Sequence, residues 1–284
     1  MDLQAGPRHY TLIKIGRLYE TAGAKGTILS MDSLRKNRIL TLLKGIETGD
    51  PASVEVINPE KYIQHNPQTY EGHDGLAALF KRLSLTSPRV NIVRIFEDSD
   101  YIFAHTEYDF SHSNIGFEVF RFEDGMTVEH WDNIQLRQGP NDSNHSMVSG
   151  PTDVTDLDKT EENRQIVLSF VDDILLNARY TKLENYIDKN QFTQHNPYMI
   201  DGKSAIIDVL KNTSENGVRI NYNNNYKVLA EGNFVLSVCE GYFNDVHSAF
   251  YDLYRVENGR LAEHWDTIEE IPPRSDWKND NGKF

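Results

Sequence analysis

The sequence predicts an α+β protein built from two tandem copies of one unit, on three observations. The run Tyr-Ile-Gln-His-Asn-Pro, from Tyr62 to Pro67, returns as Phe-Thr-Gln-His-Asn-Pro from Phe192 to Pro197. The run Val-Glu-His-Trp-Asp, from Val128 to Asp132, returns as Ala-Glu-His-Trp-Asp from Ala262 to Asp266. Within each copy the apolar spacing changes from helical to alternating about halfway along. The two motifs recur at offsets of 130 and 134 residues, and Asn37-Arg38 with Asn163-Arg164 adds an offset of 126. Such a period is too long for a solenoid and steady enough for a duplication with small loop insertions.

The elements follow in the same order in both copies. Ile39, Leu42, Leu43 and Ile46 stripe a first helix that Gly49 stops. Asp50-Pro51 caps and starts a short second helix over residues 51–57. Leu76, Leu79, Phe80 and Leu83 mark a third. Beyond Pro88 the pattern predicts four strands over 90–96, 101–110, 115–122 and 128–136, with Glu123-Asp124-Gly125 as a hairpin turn. In the second copy Val167, Phe170, Val171, Ile174 and Leu175 form the first stripe, residues 180–187 the second helix, and Ile206, Ile207 and Leu210 lie on the third. Strands are expected over 218–229, 234–243, 248–256 and 261–268. Helices followed by an antiparallel meander pack on one face of a curved sheet.

This divides the chain into an extension (1–30), a first domain (31–137), a connector (138–160), a second domain (161–270) and a C-terminal strap (271–284). The connector is rich in Pro, Gly, Ser, Asn and Asp, which by composition alone reads as a linker. No apolar run approaches the length of a membrane span, and residues 1–20 hold no signal-like apolar stretch. The single cysteine, Cys239, leaves no internal disulfide and suits a reducing compartment, so a cytoplasmic location is expected. Forty-three acids against 29 bases give a net charge of −14, a field that repels phosphate backbones and argues against nucleic-acid partners. Neither a glycine-rich dinucleotide or phosphate loop nor a nucleophile elbow occurs, so no cofactor is expected.

The candidate chemistry lies in the repeated motifs. His130 and Asp132 stand two apart on a strand and share a face, with Trp131 on the other; His264, Asp266 and Trp265 repeat this. A carboxylate beside an imidazole orients it and tunes its basicity; the plainer alternative is a buried ring that ends a strand. His65 and His195 precede Asn-Pro, which holds Asn66 and Asn196 extended. That turn either aims the imidazole into a cavity mouth or uses His and Asn as loop caps. His105 lies on the second strand, and counting back from the last strand places Cys239 at its position in the second copy. The first pocket would then gather three histidines and Asp132, a set that raises zinc, although the short paired spacing of a structural site is missing. No metal is expected. Arg121 and Arg255 either bind a substrate carboxylate or pair with an internal acid. Cys239 reads as a buried, inert thiol.

These motifs resemble the SnoaL-like family of the nuclear transport factor 2-like superfamily. The group of SnoaL-like aldol-condensation-catalysing proteins is the nearest likeness. Gln64-His65-Asn66-Pro67 with Gly72, Gln194-His195-Asn196-Pro197 with Asp201-Gly202, and the strand pair Tyr251 to Arg255 leading into Glu263-His264-Trp265-Asp266 carry the resemblance. The second copy fits better: the first has Glu118 where the second has Asp252. The likeness spans residues 34–284 and extends to the connector, which it implies is ordered. It implies two tandem cone-shaped barrels, each with N-terminal helices on a curved, mainly antiparallel sheet and one deep pocket. It also implies cofactor-independent acid–base chemistry beside a carbonyl, of aldol or cyclase, isomerase or dehydratase type. On that reading His130, Asp132, His264, Asp266, His65 and His195 are catalytic. His105, Asn66, Asn196, Trp131, Trp265 and Arg255 would contact the small-molecule substrate. A non-catalytic ligand binder of the same superfamily is the alternative. Relatives commonly pair through their open sheets, so the two copies would form an internal pseudo-dimer, or the chain a homodimer.

Overall fold

The computed structural model describes residues 31–188 and 191–284; the extension expected over 1–30 lies outside them. Helix α1 (Met31–Thr48) buries Ile39, Leu42, Leu43 and Ile46, and Gly49, at φ +67°, ends it in a left-handed turn. Asp50 accepts from the Ala52 N–H and starts the short 3₁₀ helix Pro51–Val56. The two-residue strand β1 (Ile63–Gln64) and helix α2 (Gly72–Ser84) follow, then strands β2 (Arg89–Asp98), β3 (Tyr101–Asp109), β4 (Ser113–Glu123) and β5 (Met126–Leu136). The second half repeats the order. Helix α3 (Thr160–Phe170) runs into a π-helical turn, Val171–Leu176, and a 3₁₀ helix, Tyr180–Asn185. Strand β6 (Thr193–Gln194), helix α4 (Lys203–Leu210) and strands β7 (Ile220–Glu231), β8 (Phe234–Phe243), β9 (Val246–Glu257) and β10 (Arg260–Glu270) complete it. Among the described residues no helix is long and apolar enough to cross a membrane.

The molecule is thus α+β, with two five-stranded sheets ordered β1-β5-β4-β3-β2 and β6-β10-β9-β8-β7. Each is an antiparallel meander with one short parallel strand added to its last member, Gln64 opposite His130 and Gln194 opposite His264. Side chains alternate between two apolar faces. One face of the first sheet packs Phe120 and Ile102 under Ile39, Leu42 and Phe80; the second sheet buries Phe250 and Tyr254 under Phe170, Ile174 and Val209. The other faces meet each other: Phe96, Phe103, Phe117, Val119 and Trp131 join Phe234, Leu236, Leu253 and Trp265 in one core.

Two cations cross this contact. The Arg94 guanidinium lies 4.3 Å from the Trp265 ring, and the Lys227 ammonium 4.0 Å from that of Trp131. Arg94 pairs with His105 across β2–β3 and Lys227 with Val238 across β7–β8, each just after a bulge. A desolvated contact of this kind contributes ~2 kcal/mol. The ladders also correct the counted register. Phe117 faces His105 and Tyr251 faces Val238, so Val238, not Cys239, is the counterpart of His105. The reason is local: the β3–β4 loop is longer than the β8–β9 turn but its strands are shorter, so the two hairpins differ by one residue.

The connector is not a free linker. The Asn141 amide donates to the carbonyls of Gln194 and Met199 at 2.6 and 2.9 Å, and Arg94 donates to the carbonyls of Val148, Ser149 and Pro151. Gly150, at φ +103°, passes so close to Glu263 and Trp265 that a Cβ would lie 2.5 Å from the carboxylate. The tail does the same for the first half: Asn279 donates to the carbonyls of Asn66 and Thr69 at 2.7 and 3.0 Å. The segment following each half therefore closes the His-Asn-Pro loop of the other half. Removing a buried amide that serves two carbonyls leaves both unpaired. Asn141→Ala and Asn279→Ala should each lower stability by about 2 kcal/mol in urea unfolding; unchanged midpoints would show that the straps merely lie on the surface.

Candidate functional site

The Gln-His-Asn run behaves as a strand. Gln64 and Asn66 point to the helix-covered side of the sheet, and His65 points to the side between the sheets. Gln64 Oε1 accepts from the Asn66 N–H at 2.9 Å and faces His130 Nδ1 at 3.1 Å. Across β4–β5, Glu118 stands opposite Asp132. His130 Nε2 lies 2.7 Å from Glu118 Oε2, and Tyr108 donates to Glu118 Oε1 at 2.6 Å. Asn66 donates to Asp132 Oδ2 at 2.7 Å. The other carboxylate oxygen, Asp132 Oδ1, is buried without a hydrogen bond, and the Lys283 ammonium lies 3.6 Å from it. Lys283 is itself buried and paired with Glu269 of β10 at 2.5 Å.

This cluster ends a cavity of about 220 Å³ with walls from Leu42, Ile46, Leu76, Phe80, Phe120 and Ile134. Both ring nitrogens of His130 face oxygens, those of Gln64 and Glu118. Burial pushes the Glu118 carboxyl above its usual range, against the pull of His130. Asp132 Oδ1 is the carboxylate oxygen of this cluster that has no hydrogen bond.

The second half repeats the wiring around His264, whose nitrogens face Gln194 Oε1 at 2.8 Å and Asp252 Oδ1 at 2.9 Å, while Asn196 donates to Asp266 Oδ2 at 2.6 Å. Its cavity is only about 20 Å³, lined by Phe192, Met199, Tyr222 and Tyr254. The tyrosine has moved by one strand: Gly241 stands directly across from Tyr222, which donates to Asp252 at 3.1 Å. Burial raises Asp266 to about 6, against the attraction of His264. Burial alone would lower His264, but its hydrogen bond to Asp252 and the charge of Asp266 outweigh it and raise it.

Glu118, His130 and Asp132, and likewise Asp252, His264 and Asp266, bring three metal-type donor atoms within 4.8 Å of one another. At 2.7 and 2.9 Å the histidine–carboxylate separations are hydrogen bonds, shorter than the spacing of two ligands sharing one ion.

The other predicted residues lie apart from the cavity. His65 and His195 stack on Trp131 and Trp265 at 4.6 and 4.7 Å, between the sheets. His65 bonds Glu129 and the Gly282 carbonyl; His195 bonds Glu263 and the Ser146 carbonyl. Arg121 and Arg255 pair with Glu129 and Glu263 at 2.7 and 2.8 Å, so the ion-pair alternative describes Arg255. Burial pushes Glu129 up, but hydrogen bonds from His65 and Arg121 prevail and lower it. His105 accepts from Arg94 at 3.1 Å, and burial, then Arg94, push its pKa well down. The expected gathering of three histidines is thus overturned: one, His130, enters the first cavity, because His65 and His105 sit on the opposite face. Cys239 is buried in the second core, and burial raises its thiol. Sequence reasoning missed Gln64, Tyr108, Glu118 and Lys283 as site residues; the alignment of Glu118 with Asp252 was the available signal for Glu118.

No family model matches the chain, and no curated protein matches it. Among solved structures, TsrD from Streptomyces laurentii is 19% identical, with a TM-score of 0.33, over 37% of this chain and 92% of its own. An LEH-like epoxide hydrolase of M. tuberculosis is 16% identical, TM-score 0.33, over 37% and 86%. IdmH from Streptomyces antibioticus, provisionally named a polyketide cyclase, is 16% identical, TM-score 0.32, over 36% and 91%.

Asp266 binds its proton more tightly folded than unfolded, since its value rises from 3.8 to about 6. That contribution is full below pH 4 and fades as pH rises through about 6; raised His264 acts in the same sense at higher pH. Relative to Asp266→Asn, the native chain should lose on the order of 2 kcal/mol between pH 4 and pH 7 in urea unfolding. Parallel curves for the two proteins would refute this.

Proposed function

We propose that the chain is a duplicated, NTF2-like small-molecule enzyme, its units over 31–137 and 161–270 forming an internal pseudo-dimer, and that the first cavity is its active pocket. The observation that carries this is Asp132, which lines an apolar cavity and has one buried carboxylate oxygen, Oδ1, with no hydrogen bond. A carboxylate that lines such a cavity is a candidate general base toward a C–H beside a carbonyl. Asp132 takes that proton and the carbonyl oxygen becomes an enolate. Asn66, which lines the cavity beside Asp132 and whose amide has a second N–H, is positioned to stabilise it. Return of the proton to the far carbon of a conjugated enolate gives isomerisation; attack of the enolate on a second carbonyl, whose oxygen then takes back the proton from Asp132, gives aldol closure. His130 does not act as the base here. Held by Gln64 and Glu118, it keeps the acidic cluster in place. The filled second pocket, with His264 and Asp266, serves stability.

The test is exchange of α-protons for deuterium in a panel of small ketones, followed by NMR. Asp132→Asn should slow exchange at least about 100-fold, while Asp266→Asn stays within about threefold of the native rate because its cavity admits no substrate. No exchange by the native protein with any ketone would favour a ligand binder instead, and an undiminished rate in Asp132→Asn would overturn Asp132 as the base.

A further inference from the structure

We infer that the occupant of the first cavity is a small, mostly apolar monoanion that leaves its carboxylate at the mouth, on Arg82 and Lys278, with its other end toward Asp132. The inference rests on the reading of this cavity as a ligand site and adds the substrate class. The inner end of the cavity is taken up by Glu118, His130 and Asp132, whose polar groups already pair with one another or with Gln64, Tyr108 and Asn66, so it offers an incoming carboxylate no free cation. The walls between are aliphatic and aromatic, and the volume of about 220 Å³ falls below the roughly 300–1,000 Å³ of common ligand pockets, so the body is small and apolar. At the outer end the lining changes sign. Arg82 on α2 and Lys278 on the tail both line the cavity and both reach solvent. Neither has an ion-pair partner among the described residues, in a chain of net charge −14; Lys278 only rests over the Tyr70 ring at 5.4 Å.

The second half serves as an internal control. With Gly72 aligned on Gly202, Arg82 corresponds to Asn212, and with Asn279 aligned on Asn141, Lys278 corresponds to Pro140. The half whose cavity is filled lacks both cations. Lys278 is also held in place: its N–H donates to the Pro67 carbonyl at 2.8 Å, next to the Asn279 cap. The tail of the second half thus delivers a recognition charge to the first half's cavity.

Calorimetric titration of the full chain with octanoate, octanol and octylamine, at pH 8 and low salt, tests this. Octanoate should bind about 10-fold more tightly than octanol, with octylamine weakest, and the advantage should shrink at high salt. The double variant Arg82→Gln/Lys278→Gln should reduce octanoate to the level of octanol while leaving octanol unchanged, which also reports an intact pocket. Octanol binding as tightly as octanoate, or an octanoate advantage that survives the double variant, would overturn the inference and spare the cavity as a ligand site. Failure of all three to bind would overturn both.

Discussion

Each sheet has two apolar faces, and a single layer of helices can cover only one of them. The face carrying Phe96, Phe103 and Trp131 in the first sheet, and Phe234, Leu236 and Trp265 in the second, must be buried elsewhere, and the two faces bury each other. Everything at the candidate site follows from this contact. Strands β5 and β10 sit back to back, where the Asn133 amide donates to the Ala249 and Thr267 carbonyls and the Thr267 hydroxyl donates to the Asn133 carbonyl. The alternation that sends Trp131 into the contact sends His130 and Asp132 the other way, into the cavity. A polar substitution at the contact would disturb the site through the shared strand.

The same contact explains why the straps cross. Each half ends at the sheet–sheet boundary, so the chain that leaves it runs onto the neighbour rather than back over its own helices. There it meets an outward histidine, His195 or His65, through the carbonyl of Ser146 or Gly282, and an outward loop through Asn141 or Asn279. The exchange makes the sites interdependent. Glu269 accepts from the Ile134 N–H while Gln135 accepts from the Ile268 N–H, so each last strand donates one side chain to the rim of the other site.

Much of this was legible in the sequence because the two sets of recurring motifs act as an alignment of one half on the other. The repeated motifs, the shared face of His130 and Asp132, and the order of elements needed only periodicity. What failed did so for identifiable reasons. His65 and Asn66 are neighbours, and nothing local says which faces the cavity until β1 pairs with β5. Cys239 was aligned with His105 because a one-residue difference between hairpins cannot be seen by counting. Tyr108 and Tyr222 reach corresponding acids from different strands, so no alignment of the copies could pair them. The connector looked like a linker because its polar residues satisfy backbone carbonyls of the other half, a role that composition does not distinguish from solvation.

The divergence between the halves is concentrated in the straps. The residue after the histidine-bound carbonyl is Lys283 over the first site and Met147 over the second, and both are buried. The facing strand supplies Glu269 to the first site and Gln135 to the second. One rim is thus an ion pair and the other is neutral. An unpaired carboxylate beside the neutral rim minimises its desolvation cost by holding a proton, which is the direction Asp266 takes. Beside the ammonium, Asp132 is offset by a charge that costs its own desolvation and is held by Glu269. Burial alone would lower the pKa of Lys283, but its pairs with Glu269 and Asp132 outweigh that cost and raise it, so the charged rim of the first half and the neutral rim of the second are two different ways of burying the same strand-borne aspartate.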